Sequence, residues 1–286
     1  MIDSQRAEKI LKLQDMETIL LLEAVFQHFG YDFRDYNRAH IKRRITHRQQ
    51  SLGLNSISEL QHKILHEQGF IEVLLRDLSI NVTEMYRDPS FYVVMRNEVF
   101  PLLKTYPFIK VWHAGCATGE EVYSFAIMLK EEGLYDRSQI YATDFNTVVL
   151  ETAKKGIYPI SKIKEFTFNY QQSGGTHSFS DYYIAKYDSA ILDQNLKQNI
   201  VFAEHNLVTD SVFAEVHLII CRNVLIYFNK DLQNKVVHLF SESLVKGGFL
   251  GLGSKENLMF TDVFNHFEVV DPKEKIYKKK VQLVQT

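Results

Sequence analysis

The sequence predicts an α/β protein: a small all-helical domain followed by a doubly wound, mostly parallel sheet. Three observations carry that prediction. Through about residue 80, apolar residues recur at helical spacing. From about residue 108, short runs rich in β-branched and aromatic residues alternate with helical stretches, the pattern of βα units. The last strand-like runs follow one another with short connections, which suits an antiparallel edge.

Taken in order, Leu11, Ile19, Leu22, Val25, Phe26 and Phe29 share a helical period that Gly30 is placed to stop. A second helix is predicted over residues 37–52, with Gly53 as its stop. Ser56 and Ser58 can cap a third through Leu60 and Ile64, and Phe70, Val73, Leu74 and Leu78 mark a fourth. Residues 81–88 form the junction. Strands are then expected at 109–113, 140–143, 200–203, 216–220, 249–252, 267–270 and 276–279, and helices at 120–131, 147–154 and 232–245. Residues 167–199 fit no βα unit. They hold Gly174, Gly175 and the run Tyr182-Tyr183-Ile184, and read as a small antiparallel insertion. The expected domains are 1–86 and 87–286, the latter including the 167–199 insertion.

Composition excludes several classes. The 286 residues carry 33 Lys+Arg against 35 Asp+Glu, a formal net charge of -2 that argues against nucleic-acid binding by bulk charge. The only cysteines, Cys116 and Cys221, form no CxxC pair, so neither a disulfide framework nor a Cys-rich metal site is expected. Residues 1–15 lack the apolar block of a signal peptide, and the apolar runs at 19–22 and 218–221 are too short to span a bilayer. The expectation is a cytoplasmic protein without membrane insertion.

Four stretches could carry chemistry in the sheet domain. Ala114-Gly115-Cys116-Ala117-Thr118-Gly119-Glu120-Glu121 leaves a strand, turns on two glycines and opens a helix, at a place where open α/β sheets bind ligands. The spacing is GxxxG, and two glutamates at a helix start would repel a pyrophosphate. Asp144 ends the next predicted strand, where a carboxylate can accept ribose hydroxyls; the plainer reading is a helix cap. Together they suit an adenosine-containing ligand with a cationic end, a character that S-adenosylmethionine has. Cys221-Arg222-Asn223-Val224-Leu225-Ile226-Tyr227-Phe228 follows another strand at the same edge, and an arginine after a buried-looking strand needs a partner or a ligand. Residues 81–88, Asn-Val-Thr-Glu-Met-Tyr-Arg-Asp, are by themselves weak evidence for anything beyond a linker.

A further candidate is a basic helix. His40, Arg43, Arg44 and His47 form one arc on a helical wheel with no acidic residue inside it, while Ile41, Ile45 and Leu52 share the adjoining face and are expected to pack on the domain. Such runs are usually solvated. A single-sign stripe in a near-neutral protein is better suited to docking an acidic partner.

In this order, NVTEMYRDP (81–89), AGCATGEEVYS (114–124), ATDFN (142–146) and CRNVLIYF (221–228) resemble the CheR family of chemotaxis protein methyltransferases. The resemblance spans roughly residues 17–280. It implies an S-adenosylmethionine-dependent, Rossmann-like methyltransferase domain with an inserted β-subdomain, and a helical domain in front. The implied activity is methylation of chemoreceptor glutamates, with S-adenosylhomocysteine as product. It implies cofactor contacts at Asn81, Thr83, Arg87, Ala114, Glu120, Asp144, Asn206, Leu207, Cys221 and Arg222. Arg87 and Tyr227 match residues near the methyl-transfer point, Arg222 is a further candidate for orienting the acceptor, and the basic helix matches a receptor-facing one. Departures are Met85-Tyr86 where Phe-Phe is common, Val122 where proline often stands, and Gly253-Ser254-Lys255-Glu256 in the late glycine motif. The rival readings are a nucleic-acid methyltransferase and a non-catalytic S-adenosylmethionine-binding signalling module.

Overall fold

In the computed structural model, residues 2–78 and 83–281 are described, with side chains from residue 8 onward. The chain divides into two units, Met1–Ile80 with Ile226–Gln233, and Asn81–Leu225 with Asn234–Thr286. The sequence reading has neither the break at residue 80 nor the return of 226–233 to the helical unit. That return has a physical cause: residues 35–37 pair with 227–229. The Asn37 N–H donates to the Tyr227 carbonyl at 2.7 Å and the Asn229 N–H to the Asp35 carbonyl at 2.8 Å. Tyr36 and Phe228 stack edge-on, 4.9 Å apart.

The helical unit holds α1 (Ile2–Phe29), α2 (Arg38–Ser51), α3 (Ile57–His66) and α4 (Phe70–Leu78). Asn37 caps α2 by accepting the Ala39 and His40 N–H groups, and Ser56 caps α3 by accepting that of Glu59. Its core is Leu21, Leu22 and Val25 of α1 against Ile41, Ile45, Leu60, Ile64, Leu74 and Leu78. Leu11 and Ile19, expected on the same face, are half exposed. The inward position is taken by Glu17, which accepts the Ser58 hydroxyl at 2.6 Å, so α1 is polar inside and apolar outside along part of its length.

The second unit opens with α5 (Pro89–Val94), a π-helical turn at Met95–Val99 and α6 (Phe100–Leu103). Then follow β1 (Ile109–Ala114), α7 (Glu120–Glu131), β2 (Ser138–Asp144) and α8 (Thr147–Lys155). The inserted part holds β3 (Ile157–Pro159), α9 (Ile163–Gln172), β4 (Tyr183–Lys186) and β5 (Ser189–Leu192). The chain returns through β6 (Ile200–Glu204), β7 (Val216–Cys221), α10 (Lys230–Ser243), β8 (Leu244–Leu252), β9 (Phe267–Asp271) and β10 (Ile276–Lys279).

The main sheet has seven strands in the order β6-β2-β1-β7-β8-β10-β9. The first five are parallel to one another, and β10 runs antiparallel to both β8 and β9. Strand order reverses between β1 and β7, so the carboxyl ends of these two strands flank the crevice where such sheets bind ligands. Val111, Ile140, Leu218 and Phe249 fill the core beneath it. Trp112, fully buried on β1, donates its indole N–H to the Thr143 hydroxyl on β2 at 2.8 Å.

The inserted sheet has the order β3-β5-β4, antiparallel throughout. It begins ten residues before the expected 167, with α9 inside it. Three-residue β3 is too short to show a period; α9 shows one in Ile163, Phe166 and Tyr170, all buried. Glu131, at the end of α7, holds the insertion down. It pairs with Arg96 of the π-helical turn and accepts the hydroxyls of Tyr170 and Tyr182. No helix among the described residues is long and apolar enough to cross a membrane.

Candidate functional site

The parallel strands bring the predicted residues of the sheet unit to one edge. Ala114 ends β1, Asp144 ends β2, Cys221 ends β7, and Asn206 and Leu207 lie just past β6. The turn after β1 is fixed by backbone bonds: the N–H groups of Gly115 and Cys116 both donate to the Thr143 carbonyl, at 2.8 and 2.9 Å. Gly115 has φ 77°, and a Cβ there would meet Val224 Cγ2 at 2.6 Å; at Gly119, φ 89°, it would meet Ala153 at 2.8 Å. Both glycines are thus demanded by conformation and by space.

Asp144 sits at the floor of this turn. One oxygen accepts the Ala117 N–H at 3.0 Å and the other the Asn146 N–H at 2.9 Å. Burial raises its carboxyl above the ordinary range, and the N–H groups of Asn146, Ala117 and Phe145 partly offset this. A carboxylate has about four acceptor positions, so hydroxyls can join those two bonds. The His205 N–H donates to the Asp144 carbonyl at 3.2 Å, tying the end of β6 to it, and Asn206 turns the chain by accepting the Val208 N–H at 3.0 Å. Leu207 is buried beside it.

Glu120 is 8% exposed and accepts the Thr118 hydroxyl at 2.6 Å. Among the described residues no cationic side chain is close enough to form an ion pair with it. Burial pushes its carboxyl up to about 7, against the lowering effect of Thr118, its own N–H and, last, the Lys162 charge. A buried acceptor without an ion-pair partner is what a ligand bringing hydroxyl or ammonium donors requires. On this test the edge fits the adenosine and amino groups of S-adenosylmethionine.

Arg222 has a different place from the one expected. Its side chain is 2% exposed and both terminal nitrogens are engaged: Nη1 donates to Glu121 at 2.7 Å and to the Arg87 carbonyl at 3.0 Å, and Nη2 donates to Asp88 at 2.7 Å, while the buried Nε has no hydrogen-bond partner among the described residues. Its guanidinium lies 4.3 Å over the Phe91 ring. The partner that the sequence required is therefore protein, and the guanidinium is not presented to an acceptor. Burial works to raise Glu121, but Arg222 and then His113 more than offset it and hold its carboxyl below the usual range. Cys221 is buried at the end of β7, and burial raises its thiol well above ordinary.

The junction is strained where it meets this pair. Tyr86 and Asp88 adopt left-handed backbone, φ 54° and 56°, on either side of Arg87. Each such residue costs about 1–2 kcal/mol and needs surroundings that hold it. Thr83 and Arg87 are half buried; Asn81 lies outside the described residues.

On the helical unit, the basic arc is only partly free to dock anything. Arg44 donates to the Asp77 carbonyl and Arg48 grips the Asp77 carboxylate with two bonds, so α4 supplies the acid that the wheel did not show. Arg43 and His47 are exposed, and His40 is half buried with its ring 6.1 Å from that of Tyr227. Tyr227 thus joins the basic helix within this unit. Residues not expected from the sequence as members of the site are Glu121, Asp88 and Glu256. The last is buried and accepts the N–H groups of Asn223, Val224 and Gly253 at 3.0, 2.9 and 2.6 Å, bracing the turn after β7. All three stand inside the quoted motifs, but apart from Gly253 the partners named here are distant in sequence.

Comparisons with known proteins give the family. Residues 81–274 match the family model described as CheR methyltransferase, SAM binding domain, and residues 16–79 match CheR methyltransferase, all-alpha domain. A Pseudomonas putida protein carrying the name methyltransferase Cher3 is 51% identical over 265 residues, 93% of this chain and 97% of its own length. The chemotaxis protein methyltransferase of Escherichia coli is 27% identical over 269 residues, 90% of this chain and 88% of its own. Among solved structures, the N-methyltransferase NodS of Bradyrhizobium japonicum with S-adenosyl-L-homocysteine has TM-score 0.34 and 13% identity, covering 59% of this chain and 62% of that one.

Proposed function

Because this chain belongs to the CheR methyltransferase family and carries out S-adenosylmethionine-dependent methylation in chemotaxis, we propose that its acceptors are glutamate carboxylates on the cytoplasmic helices of chemoreceptors. Two observations carry the proposal: the sheet unit has a cofactor edge with a buried Glu120, unpaired among the described residues, and the helical unit presents the exposed basic side chains Arg43 and His47. The first suits a positively charged methyl donor, the second an acidic helix.

Bound S-adenosylmethionine supplies an electrophilic sulfonium methyl. Thr83, Arg87, Ala114, Glu120, Asp144, Asn206, Leu207 and the Cys221-Arg222 backbone would hold it, with Asn81. A glutamate carboxylate, of ordinary pKa ~4.3, is already ionised at neutral pH, so the protein needs no general base. What it must provide is alignment and exclusion of water, since the reaction neutralises opposite charges. We assign orientation of the reacting groups to Arg87. On the helical unit we assign contact with the acceptor to Tyr227, His40, Arg43 and His47, with Arg44 positioned behind them by Asp77.

The test is transfer of tritiated methyl from S-adenosylmethionine to receptor-enriched membranes, followed by alkali. An ester on glutamate releases the label as methanol; label that survives alkali, or no label at all, overturns the reading. Mass spectrometry of the receptors then locates the glutamates.

A further inference from the structure

The chain around Arg87 is tied at four successive residues, three through the backbone and the fourth through a side chain. Asn169 donates to the Met85 carbonyl at 3.2 Å, the Tyr86 N–H donates to the Ser124 hydroxyl at 3.0 Å, and Arg222 takes both the Arg87 carbonyl and the Asp88 carboxylate. Asp88 precedes Pro89 at the start of α5, the usual place for a capping aspartate, yet makes no side-chain cap. Its carboxylate is turned to Arg222 instead. Local helix chemistry has given way to the longer-range pair.

We propose that Glu121 and Asp88 are positioning residues for methyl transfer, acting through Arg222 to hold Arg87 in place. The proposal rests on the reading of Arg87 as a group that touches the reacting atoms. Glu121 is fixed by the first turn of α7 and Arg222 by the end of β7, two rigid elements of the sheet unit. The Glu121–Arg222 pair thus carries the position of helix and strand onto one carbonyl, that of Arg87, which sits between two left-handed residues. A second carboxylate, Asp88, balances the guanidinium from the junction side. His113, buried on β1, lies 3.6 Å from the other side of Glu121 and limits how that carboxylate can turn. Removing one charge leaves the guanidinium a choice of partners, and the Arg87 carbonyl loses its fixed donor.

Glu121→Gln and Asp88→Asn preserve shape and leave Arg87 and Arg222 in place. In each, hydrogen exchange of residues 83–88 is expected to quicken while that of β1 stays unchanged. The kcat for methylation is expected to fall about tenfold to hundredfold, the scale of a small misplacement of a reacting group. Affinity for S-adenosylhomocysteine, measured by calorimetry, should fall by less than kcat does, because Ala114, Glu120 and Asp144 stay in place. The double variant should lose no more kcat than the worse single one, because both act through one guanidinium. Unchanged exchange in both variants overturns the latch. Quickened exchange with unchanged kcat, or losses that multiply in the double variant, overturn the positioning role. If the wild-type protein methylates no receptor glutamate, the functional reading has failed, and exchange still decides whether the latch exists.

Discussion

The two sides of the first turn of α7 carry the same residue into opposite circumstances. Glu120 faces Thr118 with no ion-pair partner among the described residues, only the more distant Lys162 charge, and its carboxyl is raised to about 7. Glu121 faces Arg222 and His113, and its carboxyl is held low. Both are withdrawn from water at one helix start, so burial and the helix dipole do not separate them; the counter-charge does. The contrast teaches which buried acids are left waiting for a ligand and which are already spent on structure.

Removing the cation breaks the contrast most severely. Arg222→Met leaves Glu121 and Asp88 without their partner, and should destabilise the sheet unit by about 3–5 kcal/mol in urea unfolding. Removing the other acid acts in the opposite sense. Glu120 holds its proton to about pH 7 when folded, against an ordinary 4.5. The folded chain therefore binds more protons than the unfolded one between those values. Stability should fall as pH rises from 4.5 to about 7 and level off above it. Glu120→Gln should abolish that decline, matching the wild type near pH 4.5 and exceeding it by about 2–3 kcal/mol at pH 8. The same variant should weaken S-adenosylmethionine binding about tenfold to hundredfold in calorimetry, the worth of a hydrogen bond to a charged group. Improved stability with unweakened binding would remove Glu120 from the cofactor site.

The smallest effect on folding is expected from the exposed basic side chains. Arg43→Glu with His47→Glu should change stability by less than about 0.5 kcal/mol and leave cofactor affinity intact, while impairing methylation of a receptor. Arg48→Ala, which breaks the grip on Asp77, should do the reverse and lower stability with less effect on acceptor use.

Much of this was legible in the sequence where information is local. The glycine turn, the placement of Asp144 at a strand end and the alternation of strands and helices follow from residues a few positions apart. What lay beyond reading were pairings across long separations. Arg222 announced a need for a partner but not that Glu121 and Asp88, 101 and 134 residues away, would meet it. Asp77 gave no sign that it would turn inward to Arg44 and Arg48. Residues 227–229 looked like the end of a sheet motif, and their pairing with 35–37 depends on two segments that no periodicity relates. The three residues of β3 were too few to display any period.

Trp112 has one more consequence. It is the chain's only tryptophan. Its indole is bonded to Thr143, the residue before Asp144, and packs edge-on against His205 at 5.3 Å, just before Asn206. The protein therefore carries an intrinsic fluorophore one residue from the floor of the ligand edge. Its emission can be followed during cofactor titration without any label, as a single-site signal that no other indole dilutes.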